Sequence, residues 1–75
     1  MKHVLKRQTT KYQLFKVGIT YQLKDRETGQ FYPLDLPTYE VMKLMPYREL
    51  NTMCERYIER AELISQNLSL IINNQ

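Results

Sequence analysis

Little in this chain of 75 residues can hold a fold by covalent means or carry out chemistry. Cys54 is the only cysteine and His3 the only histidine, so no internal disulfide can form and no zinc site with paired-ligand spacing can be assembled. The two serines, Ser65 and Ser69, stand far from His3 in sequence, and no third orienting residue suggests a nucleophile with its base. Two glycines, Gly18 and Gly29, do not make a phosphate-cradling loop. No run approaches the roughly 18 consecutive apolar residues of a spanning helix, and Lys2, Lys6 and Arg7 flank no apolar core of signal-peptide length. These absences lead us to expect a non-enzyme without cofactor or metal, intracellular and cytoplasmic, with no membrane partner.

The chain is also short. A domain of this size buries only about 60% of the surface its unfolded chain exposes, and such domains gain stability from disulfides, a structural metal or oligomerisation. Only the third is open to it, so a homodimer is expected. One domain over 1–75 is the natural reading, with 1–11 either a strand or a frayed basic arm.

The net charge of +3 conceals a strong asymmetry. Residues 1–24 contain six bases and no acid, whereas residues 25–75 carry five bases against eight acids, a net of −3. Charge distributed in this way bears on partners and steering rather than on fold.

From Phe15 to Lys24 apolar and polar residues alternate, with Phe15, Val17, Ile19, Tyr21 and Leu23 on one parity. Period two predicts a half-buried strand, with Gly18 marking a bulge or bend within it. The stretch Asp25 to Gln30 supplies a turn in which Gly29 can adopt a positive φ. Opposing Asp25 to Gln30 pairs Leu23 with Tyr32, Tyr21 with Leu34 and Ile19 with Leu36, all on one face. Pro33 lacks an N–H and assigns the returning strand to an edge. The sheet is therefore expected to be an antiparallel hairpin or three-stranded meander over about residues 12–36.

Thr38 is the expected cap of a short helix over 39–45 whose inner side is Val41, Leu44 and Met45. Pro46 ends that helix and opens a second, over 46–72. At about 1.5 Å per residue the second helix runs about 40 Å, longer than the roughly 29 Å diameter of a compact domain of this size. Leu50, Cys54, Tyr57, Ala61, Ile64, Leu68 and Ile71 recur at alternating intervals of four and three, and a wide apolar face results. Leu63 and Leu70 lie on the opposite side of the same helix, so its far half is apolar on two sides and calls for a second partner. The chain is thus α+β, a sheet packed by a short and a long helix, with the C-terminal helix as core and dimer face.

Two surfaces are candidates for function. The first is the basic stretch Lys2, Lys6, Arg7, Lys11, Lys16 and Lys24, with Tyr12 exposed for stacking, which suits phosphate backbones of DNA or RNA or an acidic partner. The second is an open sheet edge together with two exposed aromatic anchors for a protein partner, Phe31 and Tyr47. Glu55, Glu59 and Glu62 alternate with Arg56 and Arg60 and read as a solvated ion-pair face. The leading expectation is a regulator, inhibitor or adaptor that binds another protein; the alternative is a nucleic-acid-binding protein.

Overall fold

The computed structural model describes residues 2–73, with side chains as far as Ser65. Its elements are β1 (His3–Gln8), β2 (Tyr12–Val17), β3 (Thr20–Asp25), β4 (Phe31–Leu34), α1 (Leu36–Met42) and α2 (Tyr47–Asn73). The four strands form one antiparallel meander in the order β1-β2-β3-β4. Both helices pack against one face of it, so the molecule is a two-layer α+β domain. Among the described residues, no helix is long and apolar enough to cross a membrane.

The expected single strand from Phe15 to Lys24 is instead two strands joined at Gly18-Ile19. Gly18 has φ +63° and among the described residues no non-glycine residue has a positive φ, the pattern of a type II′ hairpin turn. Val17 pairs with Thr20 across it, and the Thr20 hydroxyl donates to the Val17 carbonyl at 2.8 Å. Ile19, expected in the core, is the tip of the turn and 96% exposed. A two-residue turn also exchanges odd for even. Tyr21 shares its face with Lys16, Leu23 with Leu14, and Phe15 with Gln22. Phe15 and Val17 therefore leave the helix-facing side, on which Tyr21 and Leu23 remain.

The second hairpin follows the sequence closely. Tyr21 pairs with Leu34 and Leu23 with Tyr32; the Asp25 N–H donates to the Gln30 carbonyl at 3.0 Å, and Gly29 takes φ +78°. β4, with Pro33, is an edge. The expected pairing of Ile19 with Leu36 does not form, because Ile19 is in a turn and Leu36 is already helical.

Asp35, not Thr38, caps α1. Its carboxylate accepts from the Thr38 N–H at 3.0 Å and from the Thr38 hydroxyl at 2.8 Å, and Pro37 occupies the first turn, where its missing N–H costs nothing. Starting the helix earlier rotates its inner side to Tyr39 and Met42, and Val41 and Leu44, expected inside, face solvent. α1 and α2 are separate helices, broken over 43–46.

The core is the joint product of both layers. Leu14 and Leu23 from the sheet meet Met42, Leu50 and Cys54 from the helices, and all five are at most 1% exposed. Around them Tyr21 stacks on Tyr39 with ring centroids 3.9 Å apart, and the Tyr57 hydroxyl donates to the Pro33 carbonyl. The buried Thr9 hydroxyl donates to Asn51 Oδ1 at 2.6 Å and accepts from the Lys11 and Tyr12 N–H groups, tying the β1–β2 turn to α2. Residues past Glu62, which accepts from the Tyr32 hydroxyl at 3.0 Å, carry α2 beyond the sheet, and the longest dimension of the molecule is 42 Å.

Arg7 fastens the helical joint to the sheet. Its guanidinium donates to the Met42 and Lys43 carbonyls at 2.9 and 2.8 Å and lies 4.8 Å from the Tyr47 ring centroid. Both lie at the end of α1, where carbonyls lack intrahelical partners, although that of Met42 also accepts from the Met45 N–H at 3.3 Å; charge-assisted bonds to such carbonyls are stronger than neutral ones. Arg7→Ala is expected to destabilise the fold by about 2 kcal/mol in denaturant titration, with only partial recovery by Arg7→Lys, which has no planar fork. Asp35 gives a second expectation. Bonds from Thr38 hold its carboxyl below the ordinary value of 3.8, so its contribution is complete above that pH and fades as pH falls through the lowered native value. The melting-temperature gap between the wild type and Asp35→Ala should therefore be open at neutral pH and close on acidification below 3.8.

Candidate binding surfaces

The basic N-terminal residues do not converge. Arg7 is spent on the helix joint. Tyr12 is buried in the core beside Leu14 and has no face free for stacking. Lys16 lies on the helix-facing side of the sheet next to Tyr21, and Lys24 on the opposite side next to Phe31. Lys11 sits at the turn end of the sheet, in a depression it shares with Arg26 and with three carboxylates, Asp25, Glu27 and Glu55. Lys2 and Lys6 are exposed on and beside β1. A phosphate backbone tracking these cations would have to pass round both faces and one end of the sheet.

The sheet edges are poor templates for an added strand. β1 is broken by a register shift between Leu5 and Arg7, which leaves Lys6 in a bulge, and β4 is four residues long with Pro33 inside it. A bulge with lysine and a short, proline-bearing strand are both devices that discourage edge pairing.

The outer face of the sheet is different. Register places His3, Leu5, Phe15, Val17, Phe31 and Pro33 on it, with Gln13, Gln22 and Lys24 among them and no acidic side chain. Its centre is aromatic: the rings of His3, Phe15 and Phe31 meet with centroids 5.2 to 5.9 Å apart. His3 is on one edge strand and Phe31 on the other, and strands are spaced about 4.8 Å apart, so the sheet must cup around these rings. Val17, paired with His3, is buried on this face, while Phe31 stays 43% exposed with the Lys24 ammonium 5.4 Å from its ring. The sequence placed Phe31 and Lys24 side by side on this face, but the turn at Gly18-Ile19 hid Phe15 and Val17 from that reading. Tyr47, the other expected anchor, is exposed and carries the Arg7 guanidinium.

α2 divides by length. Leu50 and Cys54 are buried in the core, Tyr57 packs against it and Ala61 is half-buried. Leu63 and Ile64 are 58% and 53% exposed. The side chains of Leu68, Leu70 and Ile71 lie outside the described residues. The expected ion-pair face is also reorganised: among the described residues the one ion pair is Glu40 with Lys43, in α1 and just after it, at 2.6 Å. On α2, at about 100° per residue, Arg56 and Arg60 stand from about 60° to about 160° away from Glu55, Glu59 and Glu62 round the helix, with Arg56 and Glu59 the nearest pair.

Among the described residues, no group of His, Cys, Asp and Glu has the makings of a metal site. Cys54 is the one candidate nucleophile on the core stripe, and its surroundings oppose that role. Burial pushes its thiol up to about 12 despite the nearby Arg7 charge, so it is protonated and inert at neutral pH. No family model matches the chain, and comparisons with curated proteins and with solved structures return no match. Alkylation of Cys54 by iodoacetamide should be negligible in the native protein and should appear in step with global unfolding on a denaturant series; rapid labelling under native conditions would contradict the burial.

Proposed function

We propose that this chain is a small non-enzymatic interaction protein, a regulator, inhibitor or adaptor, that binds another protein through the outer face of its sheet. The observation that carries this reading is the composition of that face: an aromatic centre, a polar glutamine surround, one cation, no acid and no helix over it. Interfaces between proteins concentrate energy in such aromatic anchors within a polar rim. The absence of acids favours a partner whose own surface is apolar with negative charge at its margin.

The second element of the proposal is a homodimer through the far half of α2. Leu63 and Ile64 are already exposed where the helix leaves the sheet, α2 continues to Asn73, and the sequence places Leu68, Leu70 and Ile71 further along it. A helix apolar on two sides requires more than its own domain can supply. Two subunits joined there would present two copies of the sheet face, which strengthens binding to a partner with paired sites.

Two measurements test this. Sedimentation velocity at tens of micromolar should give a dimer that Leu63→Asp converts to monomer with the same far-ultraviolet circular dichroism; a monomeric wild type removes the dimer. Affinity capture from the native cell, run beside Phe31→Asp, should retain a protein that the variant loses and that rebinds when purified. Nucleic acid as the retained species, released by salt and by Lys6→Ala and Lys24→Ala, would replace this reading with phosphate-backbone binding.

A further inference from the structure

The flank of α2 that faces α1 carries a row of arginines. Arg48, Arg56 and Arg60 are separated by eight and four residues, so they follow one slowly winding i+4 line and extend over about 18 Å of helix at 1.5 Å per residue. They line two adjoining depressions that share Met53 and Arg56, one reaching Met45 and Arg48 and the other reaching Tyr57 and Arg60. Met45, Met53 and Tyr57 are half-buried and pack on the core, so the floor is apolar and held in place from below.

The charge in this groove is not neutralised. None of the three guanidiniums makes an ion pair with another described residue. Two carboxylates line the same depressions, Asp35 and Glu49. Asp35 accepts from the Thr38 N–H and hydroxyl and keeps its negative charge, so the lining sets three guanidiniums against two carboxylates, Asp35 and Glu49, and is net positive. Guanidinium forks match carboxylates in bidentate geometry, and thioethers adapt to apolar side chains of varied shape. Non-sequence-specific recognition of single-stranded nucleic acid would need aromatic faces for stacking. Tyr57, the one aromatic here, is held with its hydroxyl on the Pro33 carbonyl.

We propose that this groove docks an acidic segment of a partner protein, with one or two apolar side chains seated on Met45 and Met53 and its carboxylates on Arg48, Arg56 and Arg60. The site lies on the helical layer, away from the outer sheet face, and each can fail without the other.

A random library of short displayed peptides, selected against the full-length protein, tests this without naming the partner. The enriched peptides should be rich in Asp and Glu with interspersed apolar residues. Their affinity should fall about tenfold or more for Arg56→Glu/Arg60→Glu, a loss of the kind expected when paired charges are reversed, and should be unchanged for Lys24→Glu on the sheet face. Arg56 and Arg60 are exposed and unpaired among the described residues, so the double variant should melt with the wild type. Failure to enrich any peptide, enrichment without an acidic bias, or equal affinity for the double variant would each overturn the proposal. So would self-association that depends on the two arginines, because the occupant would then be a second copy, or tighter binding of a single-stranded oligonucleotide that the double variant abolishes.

Discussion

Five fully dehydrated side chains, Leu14, Leu23, Met42, Leu50 and Cys54, set the terms for the rest of the molecule. They come from four elements, β2, β3, α1 and α2, so no element can be withdrawn without exposing the others. A core this small takes up most of one face of the sheet and leaves the other without a helical layer. Both proposed protein-binding surfaces, the outer sheet face and the groove beside α1, border elements whose inner sides are taken by these five residues.

Much of this was legible in the sequence, for reasons that can be traced to particular residues. The hairpin from β3 to β4 was readable because Leu23, Tyr21, Tyr32 and Leu34 agree on one register and Gly29 sits where a positive φ is needed. α2 was readable because a run of apolar residues at alternating spacings of four and three admits one secondary structure. The hairpin from β2 to β3 was misread because Gly18 and Ile19 continue the polar-apolar alternation through a turn. The signal was present as a glycine at the first central position, but periodicity alone cannot separate a turn that keeps step from a strand that continues. The start of α1 was misplaced for a related reason: Asp35 and Thr38 are both good caps, and the structure uses Thr38 to donate to Asp35 rather than to begin the helix.

The binding surfaces were less legible than the fold, because they depend on which side chains the core has already claimed. Nothing in the sequence distinguishes Arg7 from Lys6, yet the bulge between β1 and β2 turns Arg7 inward to the end of α1. Tyr12 resembles an exposed aromatic among lysines until its pairing with Asp25 places it on the helix-facing side. The arginines of α2 appear paired with neighbouring glutamates in linear order, yet among the described residues none of them forms an ion pair. The charge asymmetry of the chain therefore does not survive folding as a basic arm. The cations free of described partners that share a groove belong to the net-acidic part of the sequence.

The bulge in β1 and the short, proline-bearing β4 have a consequence for assembly. An open aromatic sheet face would ordinarily invite propagation, since a sheet that can also extend sideways grows without limit into a filament. Here both rims are closed to further strands. Growth by strand addition, the route by which an exposed sheet extends sideways, is therefore blocked at both edges. The outer face can thus stay open to solvent without making the sheet a template for its own extension.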